Sequence, residues 1–174
     1  LAQNAYKTLQ NATNVSTYRD MIKNSTTIIQ GPKNPQEPII VQSFAGDVLD
    51  SNYIKNQPKN SGITGNTLLD NTAIPVLYGI GKGAGGGAIA KASNGYSQDE
   101  LNQREALAMQ KMGKQNEGLV KGGTTASSVA TPIVLTSMGV PAPVAYGTMG
   151  TLNKAGETDD IGYWAVAGAK GVLH

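Results

Sequence analysis

Three glycines, Gly81, Gly83 and Gly86, have the spacing G-x-G-x-x-G, which in dinucleotide-binding proteins lets bare backbone approach a pyrophosphate at a helix N-terminus. The apolar residues 74–80 before them could form the strand that such a site requires, and residues 87–92 could open the helix. This pattern indicates a phosphate-binding loop over residues 81–86, and with it an enzyme or toxin domain, as one alternative for the protein.

The same glycines have a structural interpretation, which we favour. The predicted helix reaches only to Ser93 before an Asn-Gly turn, and no second strand ending in an acid follows it. Lys82 is followed by Gly83 where a Walker loop would have Ser or Thr. Small residues in this density are typical of helices or backbones that cross closely. We therefore expect the glycines to serve packing, and we expect no cofactor.

Carboxylates and the single histidine offer few arrangements for catalysis. Asp47 and Asp50 are close in sequence, as are the acids of the segment GETDD at residues 156–160, but that segment lacks the ligand series of a calcium loop. A solvated turn is the favoured interpretation. His174 is the last residue, a position that seldom holds a side chain firmly enough for a Ser-His-Asp arrangement. We therefore predict a protein that is not an enzyme and that has no metal site.

The elements that would position these residues differ between the two halves of the chain. Residues 1–24 have apolar positions at helical spacing, and residues 38–45, PIIVQSFA, are the best strand candidate. Residues 52–71 predict a long loop or interface arm. The sequence thus predicts one domain over residues 1–174, more polar in 1–71 and rich in small apolar residues in 72–174.

The clearest helix prediction is residues 97–114. Ser97 and Glu100 form an S-x-x-E capping box, and Leu101, Ala108 and Met112 lie on one stripe that Met109 widens. Methionines at such positions adapt to a core or to a partner. Gly113 or Gly118 can end this helix.

From Gly122 to Asn153 the chain contains no Asp, Glu, Lys, Arg or His. Pro132, Pro141 and Pro143 predict that this apolar stretch is broken into short helices that begin near Pro132 and Pro141. A further apolar run covers residues 161–173. The expected fold is therefore mainly α, with a minor β or irregular N-terminal part and short Gly/Ala-rich helices in the C-terminal half.

Composition narrows the function further. The chain has 174 residues, a formal net charge of +2, aromatic content of 5% and no cysteine, so disulfides and thiolate chemistry are absent. Its 14 Lys and Arg residues are scattered rather than clustered. Nucleic-acid surfaces usually concentrate positive charge and interleave aromatic side chains, so we do not expect nucleic acid as a partner.

The polar, Gln- and Asn-rich segments joined to uncharged Gly/Ala-rich segments resemble internal virion or pilot proteins of bacterial viruses, and pre-toxin regions of large exported bacterial proteins. Either resemblance implies a chain that assembles or crosses a membrane, in a virion or outside the cell rather than in the cytoplasm. We expect a non-enzymatic structural or delivery component that binds itself or other structural proteins through residues 72–92, 122–153 and 161–173. A membrane-inserting, pore-type segment is a further alternative. The predicted assembly contacts are Gly86, Met109, Met112, Gly139 and Trp164.

Overall fold

A computed structural model describes residues 28–42, 63, 67–137 and 139–173 of the chain. In this part, two short strands are followed by a succession of helices, so the prediction of a mainly α fold with a minor β portion is confirmed. The elements are β1 (Ile28–Gln30), β2 (Ile40–Gln42), α1 (Thr67–Asp70), α2 (Ala73–Gly83), α3 (Gly86–Asn94), α4 (Gln98–Met112), a 3-10 turn (Lys114–Asn116), α5 (Glu117–Ser137), α6 (Ala142–Ala155) and α7 (Ile161–Val172).

The two strands pair antiparallel, with Ile29 opposite Val41. β2 falls within the predicted strand segment, whereas β1 was not predicted. Ile29 is fully buried and joins Tyr78, Met112 and Val120 in the hydrophobic core. The hairpin therefore contributes its first strand to the core of the helical part.

Helix α4 agrees closely with the sequence prediction. The Ser97 hydroxyl accepts a hydrogen bond from the Glu100 backbone N–H at 3.2 Å, as expected of an N-cap. Leu101, Ala108 and Met112 are buried on one face. The helix ends at Gly113, whose φ of 88° suits glycine better than any other residue.

Two segments differ from their predicted structure. Residues 74–80 form part of helix α2 rather than a strand, because Ile74 and Tyr78 are buried at helical spacing and Pro75 lies in the first turn, where its missing N–H breaks no helical hydrogen bond. The predicted loop over residues 52–71 ends in the short helix α1. The rest of that loop, and the predicted helix over residues 1–24, lie outside the described residues, and the single domain over 1–174 stays a prediction.

The uncharged stretch, residues 122–153, also contains fewer helix breaks than predicted. Helix α5 runs through Pro132 instead of beginning near it. Pro132, Ile133 and Val134 are all buried, and burial of an Ile or Val side chain contributes about 1.5–3 kcal/mol, so the two together offset the roughly 3 kcal/mol that a proline costs inside a helix. The next proline behaves as expected, since Pro141 directly precedes α6.

Candidate functional site

The glycine-rich segment forms a helix–turn–helix and not a strand–loop–helix. Gly81 and Gly83 lie inside α2, and Gly86 is the first residue of α3. A Cβ atom at Gly86 would come within 2.5 Å of the Gly81 carbonyl oxygen and 3.0 Å of the Ile29 side chain. Gly86 therefore permits a tight turn in which α3 folds back against α2 and β1.

Other glycines allow α2 and α5 to cross at close range. A Cβ at Gly79 would lie 2.1 Å from the Val120 carbonyl oxygen, and a Cβ at Gly123 would lie 2.4 Å from the Val76 carbonyl oxygen. No side chain fits at either position without moving backbone. Gly83 faces Ser127 and Thr124 of α5 in the same way.

A polar cavity of about 340 Å³ lies where the end of α2 and the start of α3 face α4, α5 and the end of α6. Its charged lining residues are Lys82, Glu105 and Glu157, and its amide side chains are Asn102 and Asn153. Thr124 and Ser128 from α5 add hydroxyl groups, and Gly83, Gly85, Gly87 and Gly156 bring backbone to the wall.

The charges in this cavity are incompletely satisfied. Lys82 Nζ lies 3.7 Å from Glu105 Oε2, which is close enough for attraction but too long for a hydrogen bond. The Glu105 side chain is only 19% exposed, and burial raises its pKa above the usual value although Lys82 acts in the opposite direction. Asn153 Oδ1 is buried and accepts no hydrogen bond from the described residues.

A second polar cluster joins α3 to the turn between α6 and α7. Lys91 Nζ donates to Gln98 Oε1 at 2.6 Å and forms an ion pair with Asp159 Oδ1 at 2.7 Å. This contact lowers the pKa of the Asp159 carboxyl. Trp164 Nε1 donates to the Thr158 carbonyl oxygen at 2.7 Å, and Lys91 Nζ lies 5.9 Å from the centre of the Trp164 ring.

The acids of residues 156–160 thus have structural roles in this part of the chain. Asp160 caps α7 by accepting a hydrogen bond from the Gly162 N–H at 2.9 Å, while Glu157 pairs with Lys154 at 3.1 Å. Within the described residues no group of three or more carboxylate or imidazole side chains is placed to hold a metal ion. Asp47, Asp50 and His174 lie outside the described residues.

Helices α6 and α7 form an antiparallel hairpin that is packed through small residues. Cβ atoms at Gly150 and Gly171 would lie 2.6 Å and 2.2 Å from carbonyl oxygens of the facing helix. None of the described residues of α7 is buried, because the helix packs mainly on α6. The apolar side chains that the hairpin exposes are Val144, Ile161, Tyr163, Val166 and Val172, followed by Leu173.

A shallow groove of about 480 Å³ runs between the two helices of this hairpin. Every described residue that lines it is uncharged: Pro143, Val144, Gly147, Thr148, Thr151 and Leu152 from α6, and Ala165, Gly168, Ala169 and Val172 from α7. We call the groove and the exposed apolar side chains of α6 and α7 the hairpin face. No helix among the described residues is both long and apolar enough to cross a membrane.

The predicted assembly residues occupy varied positions. Met112 is in the core, with Met109 packed against it, and Gly86 is in the tight turn described above. Trp164 is half-buried and bonded to Thr158. Gly139 has a φ of 98° and no heavy atom within 4 Å of its Cβ position, so its conformation, not crowding within the chain, requires glycine. Whether any of them contacts another chain stays a prediction.

The sequence analysis did not identify the residues that line the cavity. Glu105 and Asn153 lie on different helices, and no motif connects them. The sequence indicated part of the hairpin face, because the apolar run over residues 161–173 was predicted to be buried in an assembly. A search against protein-family models, curated proteins and solved structures finds no match for this chain.

Proposed function

We propose that this protein is a non-enzymatic structural component that assembles with a second copy of itself through the hairpin face. One observation carries the proposal. Four large apolar side chains of α7, and that of Leu173 directly after it, are at least half exposed. Scattered exposed apolar residues are normal, but several large ones on one short helix beside an uncharged groove are typical of an interface.

Charge favours a second copy as the occupant of this face. The groove lining is uncharged, Lys170 is the one charged side chain in the sequence of α7, and Lys154, which lies 5.7 Å from the centre of the Tyr163 ring, is paired with Glu157. Binding to anionic lipid would call for a cluster of Lys or Arg beside the apolar side chains, and a charged protein partner would call for complementary charge. A nearly neutral apolar face does not repel its own copy.

The geometry of the hairpin suits a two-fold assembly. In an isologous dimer the same surface of both subunits meets across a symmetry axis. Two antiparallel hairpins that meet by their apolar faces would form a four-helix arrangement, in which the Val166 and Ala169 positions become buried. The virion or exported setting that the composition favours remains a prediction.

Light scattering coupled to size-exclusion chromatography tests the proposal. We expect wild-type protein to form a discrete dimer whose fraction rises with concentration. Ala169→Asp places a carboxylate on the groove and should shift the protein to monomer, because burial of an unpaired charge costs several kcal/mol. Ala106→Asp makes the same change at an exposed position of α4 and should leave the dimer intact.

Three results would contradict the proposal. One is wild-type protein that stays monomeric up to millimolar concentration, and another is an Ala169→Asp variant that associates as the wild type does. The third is protein that becomes monodisperse only with detergent and permeabilises liposomes, which would favour the membrane-inserting alternative.

A further inference from the structure

The polar cavity contains two acceptor groups that have no donor at hydrogen-bond distance among the described residues. The hydroxyl protons of its wall are used within α5, since Thr124 Oγ1 donates to the Val120 carbonyl oxygen and Ser128 Oγ donates to the Thr124 carbonyl oxygen. The acceptors that remain are Asn153 Oδ1, which accepts no hydrogen bond from the described residues, and the Glu105 carboxylate, whose ion pair with Lys82 is 3.7 Å long. A bound molecule would therefore have to donate hydrogen bonds on this side.

A cationic donor lies beside the Glu105 carboxylate. The Lys82 ammonium lines the cavity and makes no direct hydrogen bond to Glu105 at 3.7 Å. Gly87, in the first turn of α3, also lines the cavity, and first-turn N–H groups have no acceptor within their own helix. The N-cap residue, Gly85, has no side chain that could satisfy them. The Lys82 ammonium and these N–H groups suit a negative group that lies next to the Glu105 carboxylate.

Charge balance argues against a phosphate here. Glu105 and Glu157 both line the cavity, while Lys82 is the cation on its wall and Glu157 is already paired with Lys154. A dianion would meet two carboxylates and one ammonium. A ligand without net charge, but with a positive and a negative end, meets no such penalty.

We propose that this cavity binds a free amino acid. Its ammonium group lies between Glu105 and Asn153 Oδ1, and its carboxylate faces Lys82 and the first-turn N–H groups of α3. A cavity of about 340 Å³ lies at the lower end of the range for small-molecule sites, roughly 300–1,000 Å³, and is large enough for any single amino acid.

The test measures thermal stability of the full chain with each of the twenty free L-amino acids at millimolar concentration, followed by calorimetric titration of those that stabilise it. A ligand that binds only the native state raises the melting temperature in a saturable way. For each amino acid that binds, the analogue without the amine and the analogue without the carboxylate are titrated in parallel. The proposal expects both analogues to bind far more weakly.

Glu105→Gln keeps the size of the side chain and removes its charge. Loss of a charge-assisted hydrogen bond should weaken amino-acid binding at least roughly tenfold. Glu117→Gln makes the same change at a surface ion pair on α5 and should not alter binding. Circular dichroism of both variants reports whether the fold is retained.

The inference is overturned if none of the twenty amino acids shifts the melting temperature. It is equally overturned if Glu105→Gln binds as tightly as wild type, or if the amine-free analogue binds as well as its amino acid. None of these results depends on the oligomeric state, so they leave the proposed dimer to be tested separately.

Discussion

At the residue scale, two adjacent glycines of α5 differ in whether the fold leaves room for a side chain. Gly123 faces the backbone of α2, where a Cβ would lie 2.4 Å from the Val76 carbonyl oxygen, whereas Gly122 has no neighbour within 4 Å of its Cβ position. The two glycines share a helix and a sequence context. Their difference arises only from which of them points at the facing helix.

This contrast predicts opposite effects of the same substitution. Gly123→Ala should destabilise the protein by about 1–3 kcal/mol, since crowding in a packed interface forces backbone to shift. Gly122→Ala should stabilise it by up to about 1 kcal/mol, because alanine favours the helix and nothing obstructs its methyl group. Urea unfolding of both variants measures the difference. Equal effects in the two variants would show that α2 and α5 do not cross at these glycines.

The Glu105 carboxyl should also make the free energy of unfolding depend on pH. Lys82, Lys91, Glu157 and Tyr78 are the titratable groups that act on Glu105, and burial raises its pKa in the folded protein above the unfolded value of 4.5. The native state then holds the proton more tightly than the unfolded state. Stability that Glu105 contributes is fully present below pH 4.5 and is lost as the pH rises through the folded pKa.

Comparison with Glu105→Gln isolates this effect. The variant should gain stability relative to wild type as the pH rises from about 4 toward neutrality, since glutamine has no charge to bury. Melting temperatures of both proteins across this range, without added amino acid, provide the measurement. A difference that stays constant with pH would contradict a raised pKa at Glu105.

At the element scale, Lys91 and Gln98 supply hydrogen bonds that join the turn of the α6–α7 hairpin to α3 and α4. The Lys91 ammonium contacts Gln98, Thr158 and Asp159 from a side chain only 10% exposed. This cluster holds the turn that orients α7. The hairpin face therefore depends on a residue outside the hairpin.

Lys91→Met should retain the aliphatic stem and release the turn. We expect a loss of about 1–3 kcal/mol, because the carbonyl of Thr158 and the side chain of Gln98 lose a donor. Hydrogen exchange should accelerate in α7 more than in α4. Lys121→Met, at an ion pair whose lysine side chain is 76% exposed, is the control and should change little. If hydrogen exchange in α7 is the same in Lys91→Met as in wild type, the glycine contacts with α6 are sufficient to hold α7 in place.

The sequence was sufficient for elements whose signals are local. The start of α4 followed from its capping box, and the start of α6 followed from Pro141. It failed where tertiary burial overrides a local signal, as when α5 continues through Pro132. The cavity could not be predicted at all, because Lys82, Glu105 and Asn153 are brought together by helix crossings that depend on which glycine faces which backbone.

At the scale of the whole molecule, the described part has one buried hydrophobic core and one apolar surface that is not covered. Small residues bring α2 to α5 and α6 to α7 at similar close range. The first pair also packs against α3, β1 and α6, whereas the second pair leaves its hairpin face open. Covering that face by a second copy, as proposed, would remove its apolar side chains from water.

This arrangement predicts that stability depends on protein concentration. A dimer that forms only from folded chains stabilises the native state by mass action, so the wild-type melting temperature should rise as the protein is concentrated. Because the hairpin face is almost uncharged, the rise should differ little between about 0.05 and 0.5 M salt, where surface ion pairs would be strongly screened. Ala169→Asp should melt at one temperature at every concentration. A wild-type melting temperature independent of concentration, or a rise abolished by salt, would show that apolar contact at this face does not drive assembly.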